Sequence, residues 1–199
     1  MFSVPSAATP ESPLKTDRRV ATMRSMDRDE DLLPAERKVV EELGHLPLDF
    51  GAMAAVSNLF RASAAIRRHM EAKVLADDRL SWTSFVALWV LWVWGEMESR
   101  DLAAAVGISR PTSTGVVTTL EGRGWVKRAK TADDGRLVRV SLTPAGRRKI
   151  ERLFPRFNAE EVAVTAHLDA RQQEQLAGLL RSMLRTVGTA ETRDDVGRA

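Results

Sequence analysis

Residues 99–124 constrain the fold of this chain more than any other segment, because a glycine turn there separates two short helical patterns. The run Arg100–Ala105 favours a short helix that ends near Gly107, a residue type that tolerates the left-handed backbone conformation. A second helix is predicted after Ser109, a good N-cap, with Pro111 in the first turn, where a missing N–H costs little. This arrangement predicts a helix-turn-helix, whose second helix enters the major groove of DNA.

A predicted β-hairpin follows the second helix directly. In the runs Trp125–Lys130 and Leu137–Leu142, apolar and basic residues alternate as they do in a half-buried strand. Asp133, Asp134 and Gly135 lie between the runs and supply the residue types of a tight turn. A basic hairpin beside a recognition helix is interpreted as a wing.

Positive charge is concentrated on this part of the chain. Residues 100–152 contain twelve Lys and Arg against five Asp and Glu, a formal charge of +7. Residues 1–99 carry twelve against fifteen, or −3, and residues 153–199 carry six against seven, or −1. Because Lys and Arg that neutralise phosphates supply most non-specific DNA affinity, we interpret the basic segment as a DNA-binding surface. A merely solvated basic face is the alternative.

The residue types that most enzymes and metal sites require are missing or scattered. The 199 residues include no Cys, which excludes disulfides, thiolate metal sites and cysteine chemistry. The three histidines, His45, His69 and His167, have no local metal-ligand spacing. The sequence also lacks a nucleophile–base pair and a phosphate-binding loop. We therefore expect a protein that is not an enzyme and that holds no cofactor or metal.

The sequence does not predict association with a membrane. No secretory apolar core opens the chain, and the apolar run Phe85–Gly95 is too short to span a bilayer. We therefore expect a cytoplasmic protein with no membrane partner. Residues 1–30 are rich in Ser, Pro and charged residues, and this composition predicts a disordered N-terminal extension.

Further helices are predicted on both sides of the DNA-binding element. Before it, capping signals and helical spacing predict helices over 34–44, Asp49–Ala76 and Thr83–Gly95, the last of which is apolar on nearly all sides and so fully buried. After it, Thr143 caps a helix that Pro155 is expected to kink or restart. A capping box at Asp169 opens the last helix.

The last helix carries an apolar stripe at helical spacing. Its members are Leu176, Leu179, Leu180, Met183, Leu184 and Val187. One winged domain of about 50 residues cannot cover this stripe and the apolar face of the first long helix together. Because helix-turn-helix proteins commonly bind two half-sites as two-fold dimers, we expect a homodimer, with packing within one chain as the alternative.

From residue 50 to about residue 187, the chain resembles the MarR family of bacterial transcription regulators. The matching stretches are DLAAAVGISRPTSTGVVTTLEGRGWVKR and DDGRLVRVSLTPAG. The resemblance implies a mainly α fold with a small β-wing, in which a winged helix-turn-helix domain carries N- and C-terminal dimerisation helices. The expected parts are a disordered extension (1–30), N-terminal dimerisation helices (31–80), the winged domain (81–146), C-terminal dimerisation helices (147–189) and a flexible tail (190–199).

The resemblance also implies the residues that contact double-stranded DNA. The start of the recognition helix would face bases and phosphates through Ser109, Arg110, Thr112, Ser113 and Thr114. Of these, only Arg110 can form a bidentate contact to guanine. The family often has a basic residue at the position of Gly115, so one expected contact is missing here. Val116, Val117 and Leu120 are expected to pack inward.

At the wing, Asp134 and Arg136 match an Asp-x-Arg pattern of the family. The arginine would enter the minor groove, and the aspartate would either orient it or serve only as turn chemistry. The basic strand residues are expected to contact phosphates or solvent, and bases less so; they are Lys127, Arg128, Lys130 and Arg139.

The family implies a small-molecule effector that binds between the dimerisation helices and the winged domain. Trp82, Phe85 and Trp89, with Trp92, share one face of a helix and form either a pocket wall or ordinary core. Arg67 and His69 are the polar candidates, so the expected effector is aromatic or anionic.

The expected function is a homodimeric regulator, with repression as the expected sign. It would bind a pseudo-palindromic operator and be released by the effector. The alternative is an architectural or constitutive DNA-binding protein without an effector.

Overall fold

Seven α-helices and three short β-strands make up the parts of the chain that this computed structural model describes, residues 32–130 and 138–196. The elements are α1 (Pro34–Leu43), α2 (Phe50–Met70), α3 (Trp82–Trp94), β1 (Met97–Glu98), α4 (Ser99–Val106), α5 (Arg110–Gly122), β2 (Val126–Lys130), β3 (Val138–Leu142), α6 (Pro144–Val164) and α7 (Ala170–Val196). This order confirms the predicted fold class. The predictions for residues 1–30 and for the hairpin tip, Asp133–Arg136, lie outside the described residues.

Predicted caps begin several of these helices. The Ser81, Ser109 and Thr143 hydroxyls each accept a backbone N–H from the first turn of α3, α5 and α6. At α7, the Asp169 carboxylate accepts the Gln172 N–H at 2.8 Å, and the Gln172 side chain accepts the Asp169 N–H at 2.9 Å. The capping box is therefore confirmed. The helix reaches Val196, well past the predicted start of the tail at residue 190.

The first long helix differs from the prediction at its C-terminal end. α2 ends at Met70 and continues as one π-helical turn, Glu71–Leu75, and one 3-10 turn, Ala76–Asp78. The backbone hydrogen bonds of a π turn span five residues, against four in an α turn. The regular apolar spacing of an α-helix therefore does not predict it. Arg79, in the left-handed conformation with φ 47°, follows the segment.

Two other helical predictions are wrong in part. α6 is not restarted at Pro155, because the helix is continuous from Pro144 to Val164 and its core-facing side chains Leu153 and Phe157 are buried on both sides of the proline. α3 is not buried on all sides. Its last turn exposes 52% of Val93 and 60% of Trp94.

The sheet contains one strand more than the predicted hairpin. Its order is β1-β3-β2, and both pairings are antiparallel. β3 is central, with Val140 opposite both Met97 of β1 and Arg128 of β2. β2 is therefore an edge strand, and its outer side faces away from β3.

Contacts divide the chain into two compact units, one up to Ala65 and one from Ile66 onward. In the first unit, α1 and the beginning of α2 are joined by a hydrogen bond from the Asn58 amide to the Glu36 carboxylate, 2.9 Å long. The second unit holds the hydrophobic core, which includes Leu75, Leu88, Leu102, Leu120, Val140 and Ile150. Among the described residues, no helix combines the length and the apolar character that a membrane span requires.

Candidate nucleic-acid interface

The turn of the helix-turn-helix is formed by Gly107 and held by the end of α4. Gly107 has φ 73°, in the left-handed region where an L side chain is strained. Its N–H donates to the Ala104 carbonyl at 3.0 Å, and the Ile108 N–H donates to the Ala103 carbonyl at 3.0 Å. These bonds satisfy two carbonyls in the last turn of α4 and direct the chain into α5, as the sequence predicts.

The recognition helix α5 is anchored on one side and exposed on the other. Val117 and Leu120 are buried at 2% and 0% exposure, which confirms that they pack inward. Four residues predicted at the DNA surface are exposed at the beginning of the helix, namely Ser109, Arg110, Thr112 and Thr114. The structure places all four in the first turns of the helix, with their side chains open to solvent.

Ser113 differs from its neighbours. Its side chain is only 2% exposed, and its hydroxyl has no hydrogen-bond partner among the described residues. The helical period turns this position towards the core, on the same side as Val117 four residues later. We therefore remove Ser113 from the predicted DNA contacts.

Threonine hydroxyls along α5 bond to the helix itself. Thr114 donates to the Arg110 carbonyl, Thr118 to the Thr114 carbonyl and Thr119 to the Gly115 carbonyl, at 2.9 to 3.1 Å. The hydroxyls of Thr114 and Thr119 can each still accept a further donor, whereas that of Thr118 also accepts from Nη2 of Arg128. The exposed face therefore presents hydroxyl groups and a single cation, Arg110.

The basic residues of the wing strands fall into two groups. The Lys127 side chain is exposed. Arg139 instead lies 2.6 Å from the Glu96 carboxylate, and Arg128 lies 3.2 Å from Glu121. The structure describes Lys130 as the last residue of β2. The formal charge of the wing therefore overstates the number of cations that have no carboxylate partner.

The base of the wing is fastened to the beginning of α6. The Trp125 carbonyl accepts the Thr143 N–H at 3.0 Å, and the Thr143 hydroxyl donates to the Gly124 carbonyl at 2.6 Å. A Cβ atom on Gly146 would lie 1.9 Å from the Trp125 carbonyl oxygen. Only glycine therefore lets the first turn of α6 approach the strand this closely.

Two cations contact the Trp125 ring. The Arg123 guanidinium carbon is 4.9 Å from the ring centroid, and the Lys149 ammonium is 5.3 Å from it. Arg123 also donates to the Asp78 and Arg79 carbonyls, at 2.9 and 2.8 Å, and Lys149 forms an ion pair with Asp78. These contacts join the 3-10 turn after α2 to the base of the wing.

Two of the aromatic residues predicted as an effector wall, Trp82 and Phe85, pack against Phe157 of α6. Phe85 is 3% exposed and stacks on Phe157 with ring centroids 4.2 Å apart. Trp82 lies 5.9 Å from Phe157, and Trp89 meets Trp94 edge to face. The structure thus brings Trp82 and Phe85 together, whereas Trp89 contacts a different partner.

The two polar effector candidates have partners within the chain. Arg67 is 3.3 Å from Glu71 one turn later, and half of its side chain is exposed. His69 lies 2.6 Å from the Glu160 carboxylate of α6. This His69–Glu160 contact spans 91 residues of sequence, and no local motif could have indicated it.

Known proteins are similar to this chain over its winged segment and beyond. The sequence model of the MarR family matches residues 80–138. The uncharacterised HTH-type transcriptional regulator YwaE of Bacillus subtilis is 35% identical over 164 residues, which cover 81% of this chain and 96% of YwaE. The homoprotocatechuate degradative operon repressor of Escherichia coli is 31% identical over 101 residues, 51% of this chain and 68% of the repressor.

A solved structure extends the similarity to three dimensions. The structure of Bordetella bronchiseptica BpsR, whose DNA binding is regulated by 6-hydroxynicotinic acid, is 26% identical in sequence, with a TM-score of 0.60. The match covers 65% of this chain and 98% of the BpsR chain. The family model, the relatives and the solved structure all agree with an exposed recognition helix followed by a wing. This chain therefore belongs to the MarR family of transcriptional regulators.

Proposed function

We propose that this regulator is a homodimer that represses transcription from a pseudo-palindromic operator and is released by a small molecule. The exposed beginning of α5 would contact the major groove through Ser109, Arg110, Thr112 and Thr114. Lys127 and Lys130 would contact phosphates. At the wing tip, Arg136 would enter the minor groove, oriented by Asp134. The observation that carries this proposal is the exposed face of α5, held in place by buried Val117 and Leu120.

The dimer is proposed from the exposed apolar face of α7. Exposure reaches 44% at Leu176, 59% at Leu179, 72% at Leu184 and 59% at Val187. An exposed apolar stripe of this kind commonly marks a surface that another apolar surface covers. A second copy of the chain, packed through the same face of α7, would bring two recognition helices into one dimer. Two half-sites about 34 Å apart require such a pair. We further propose the predicted division of the chain, with 31–80 and 147–189 serving dimerisation and 81–146 binding DNA.

The effector is proposed to be a small aromatic or anionic molecule near Trp82 and Trp89. Arg67 and His69 would supply polar contacts after exchanging their present carboxylate partners for the ligand. BpsR supports an aromatic acid, since 6-hydroxynicotinic acid regulates its DNA binding. Because Phe85 is buried and stacked, it would shape the site from behind without exposing much of its ring.

One observation favours a constitutive DNA-binding protein as the second candidate. Trp82, Phe85 and Phe157 pack against one another as ordinary core aromatics do, with ring centroids 4.2 to 6.2 Å apart. The two candidates differ only in their response to small molecules. A gel-shift assay on the DNA upstream of this protein's own gene, repeated with a panel of aromatic acids, decides between them. Release by one compound supports the regulator with an effector, whereas unchanged binding throughout supports the constitutive protein.

Arg110→Ala is expected to relax sequence discrimination at one symmetric pair of base positions. A bidentate arginine–guanine contact contributes about 1–3 kcal/mol of discrimination. Lys127→Ala is the matched variant for a phosphate contact. It is expected to weaken binding to all DNA sequences alike and to reduce the slope of log affinity against log salt concentration by about 1. Fluorescence anisotropy on operator and shuffled duplexes at several salt concentrations measures both. Equal losses on both duplexes would identify Arg110 as a phosphate contact.

Arg136→Ala is expected to weaken operator binding by about 1–3 kcal/mol, the range for one good groove contact. The fold and the assembly should be unchanged, because the residue lies on the predicted turn of the hairpin. Anisotropy titrations compare the variant with the parent protein, and circular dichroism checks the fold. Full operator affinity in a folded Arg136→Ala variant would exclude the wing tip from DNA binding.

A further inference from the structure

The C-terminal part of the recognition helix is joined to the wing by one carboxylate. Glu121 lies one residue before the end of α5, and its Oε1 accepts the backbone N–H of Arg128 at 3.2 Å. Its Oε2 lies 3.2 Å from Nε of the same arginine. Nη2 of Arg128 donates to the Thr118 hydroxyl, one turn earlier on the helix. Both the backbone and the side chain of Arg128 are thus bound to α5.

The position of Arg128 in the sheet explains why this contact matters. β2 is an edge strand, and Arg128 pairs with Val140 of β3. An edge strand leaves the N–H groups on its outer side without a strand partner. The Glu121 carboxylate accepts the outward-facing N–H of Arg128, so a side chain of α5 provides the acceptor that a neighbouring strand would otherwise provide. The carboxylate therefore fixes the distance between α5 and β2 as well as neutralising a charge.

Two nitrogen atoms of the Arg128 guanidinium, Nε and Nη2, take part in this contact. The Arg128 side chain is 31% exposed and that of Glu121 is 42% exposed, so solvent reaches the pair at the junction of helix and strand. A phosphate contact through Nε or through the bonded hydrogen of Nη2 would require Arg128 to give up Glu121 or Thr118, whereas Nη1 could donate without losing either. Lys127, the preceding residue, is exposed and can reach a phosphate without such a loss.

We propose that Glu121 is a positioning residue for DNA binding, which holds the wing at a fixed angle to the recognition helix through Arg128 and Thr118. Arg128 acts within this clamp and does not contact phosphate. The inference rests on the proposed function, because it assumes that α5 and the wing contact adjacent grooves of one operator. Binding two grooves at once tolerates little movement between the two elements, so a loose wing lowers specific affinity more than non-specific affinity.

Removing the negative charge of Glu121 separates positioning from simple electrostatics, because the two effects have opposite signs. A carboxylate near DNA repels phosphates, so its removal alone would tighten binding to every sequence. Loss of the clamp instead weakens binding to the operator. For Glu121→Gln we expect operator affinity to fall about three- to tenfold, the range for a half-exposed charged hydrogen bond, while affinity for a shuffled duplex stays equal or rises.

The matched control is Glu151→Gln, which removes the same charge from the exposed side of α6, where Glu151 is 4.0 Å from Arg147. The proposal would be overturned if Glu121→Gln and Glu151→Gln changed the affinities for the operator and for the shuffled duplex in the same way. Arg128→Gln is expected to lower operator affinity without changing the salt slope. A slope reduced by about 1 would make Arg128 a phosphate contact and also overturn it.

A measurement without DNA tests the clamp independently of the proposed function. Amide hydrogen exchange of Arg128 should be slow in the parent protein and fast in Glu121→Ala, since the alanine provides no acceptor for this N–H. Rapid exchange in the parent protein would overturn the inference. If the amide is protected but the parent protein binds operator and shuffled duplexes equally, the proposed function fails and the clamp stands as a purely structural contact.

Discussion

Gly146→Ala is expected to destabilise the protein by at least about 3 kcal/mol, at the upper end of the usual cost of overpacking. The added Cβ would lie 1.9 Å from the carbonyl oxygen and 2.7 Å from the carbonyl carbon of Trp125. Neither atom can rotate away, because that oxygen accepts the Thr143 N–H at the start of α6. The base of the wing and the helix must separate. In a chain of this size, the midpoint of thermal unfolding should fall by about 6–12 °C.

Gly115→Ala is the matched control, and its expected effect has the opposite sign. A Cβ at this position, in the middle of α5, would meet no atom within 4 Å. Alanine is a better helix former than glycine by about 0.5–1 kcal/mol, so this variant should be slightly more stable than the parent. Urea unfolding of both variants measures the difference. Similar stability of the two would contradict the close approach of α6 to Trp125.

Leu179→Asp is expected to convert the proposed dimer into a monomer and to lower operator affinity by about 10²- to 10⁴-fold. Leu179 is 59% exposed in the single chain, so the substitution should leave the fold of the protomer intact. In a dimer held by this face, an unpaired carboxylate would be buried at high cost. Two linked half-site contacts gain about 10²- to 10⁴-fold over one, and the monomer loses that gain.

Ser182→Asp adds the same charge to the polar side of α7 and serves as the control for Leu179→Asp. Ser182 is exposed, and its carbonyl accepts the Thr186 hydroxyl within the helix. Sedimentation should give a dimer for Ser182→Asp and for the parent protein, and a monomer for Leu179→Asp. A dimer in all three proteins would exclude this face of α7 from the assembly.

Local signals explain why so much of the fold was predictable. Gly107, Ser109 and Thr143 each determine a turn or cap through their own backbone or side-chain chemistry, and the structure confirms them. The inward packing of Val117 and Leu120 follows from helical period alone. Signals of this kind act within a few residues, so a single sequence carries them completely.

The features that the sequence did not predict depend on contacts between distant residues. β1 has only two residues and forms because Met97 and Glu98 lie beside β3, more than forty positions later. Arg128 and Arg139 look like free cations in the sequence, whereas Glu121 and Glu96 pair with them in the fold. Only the tertiary arrangement distinguishes these cases.

The environment of Trp125 limits which substitutions the surrounding positions can accept during evolution. Arg123 binds two carbonyl oxygens with one planar group while its guanidinium carbon lies 4.9 Å from the ring centroid. Lysine has the same charge but no planar fork, so it cannot bridge both carbonyls and stack at the same time. At Lys127, by contrast, either basic residue can reach solvent or a phosphate. We therefore expect sequence drift to exchange lysine and arginine freely at position 127 and to retain arginine at position 123.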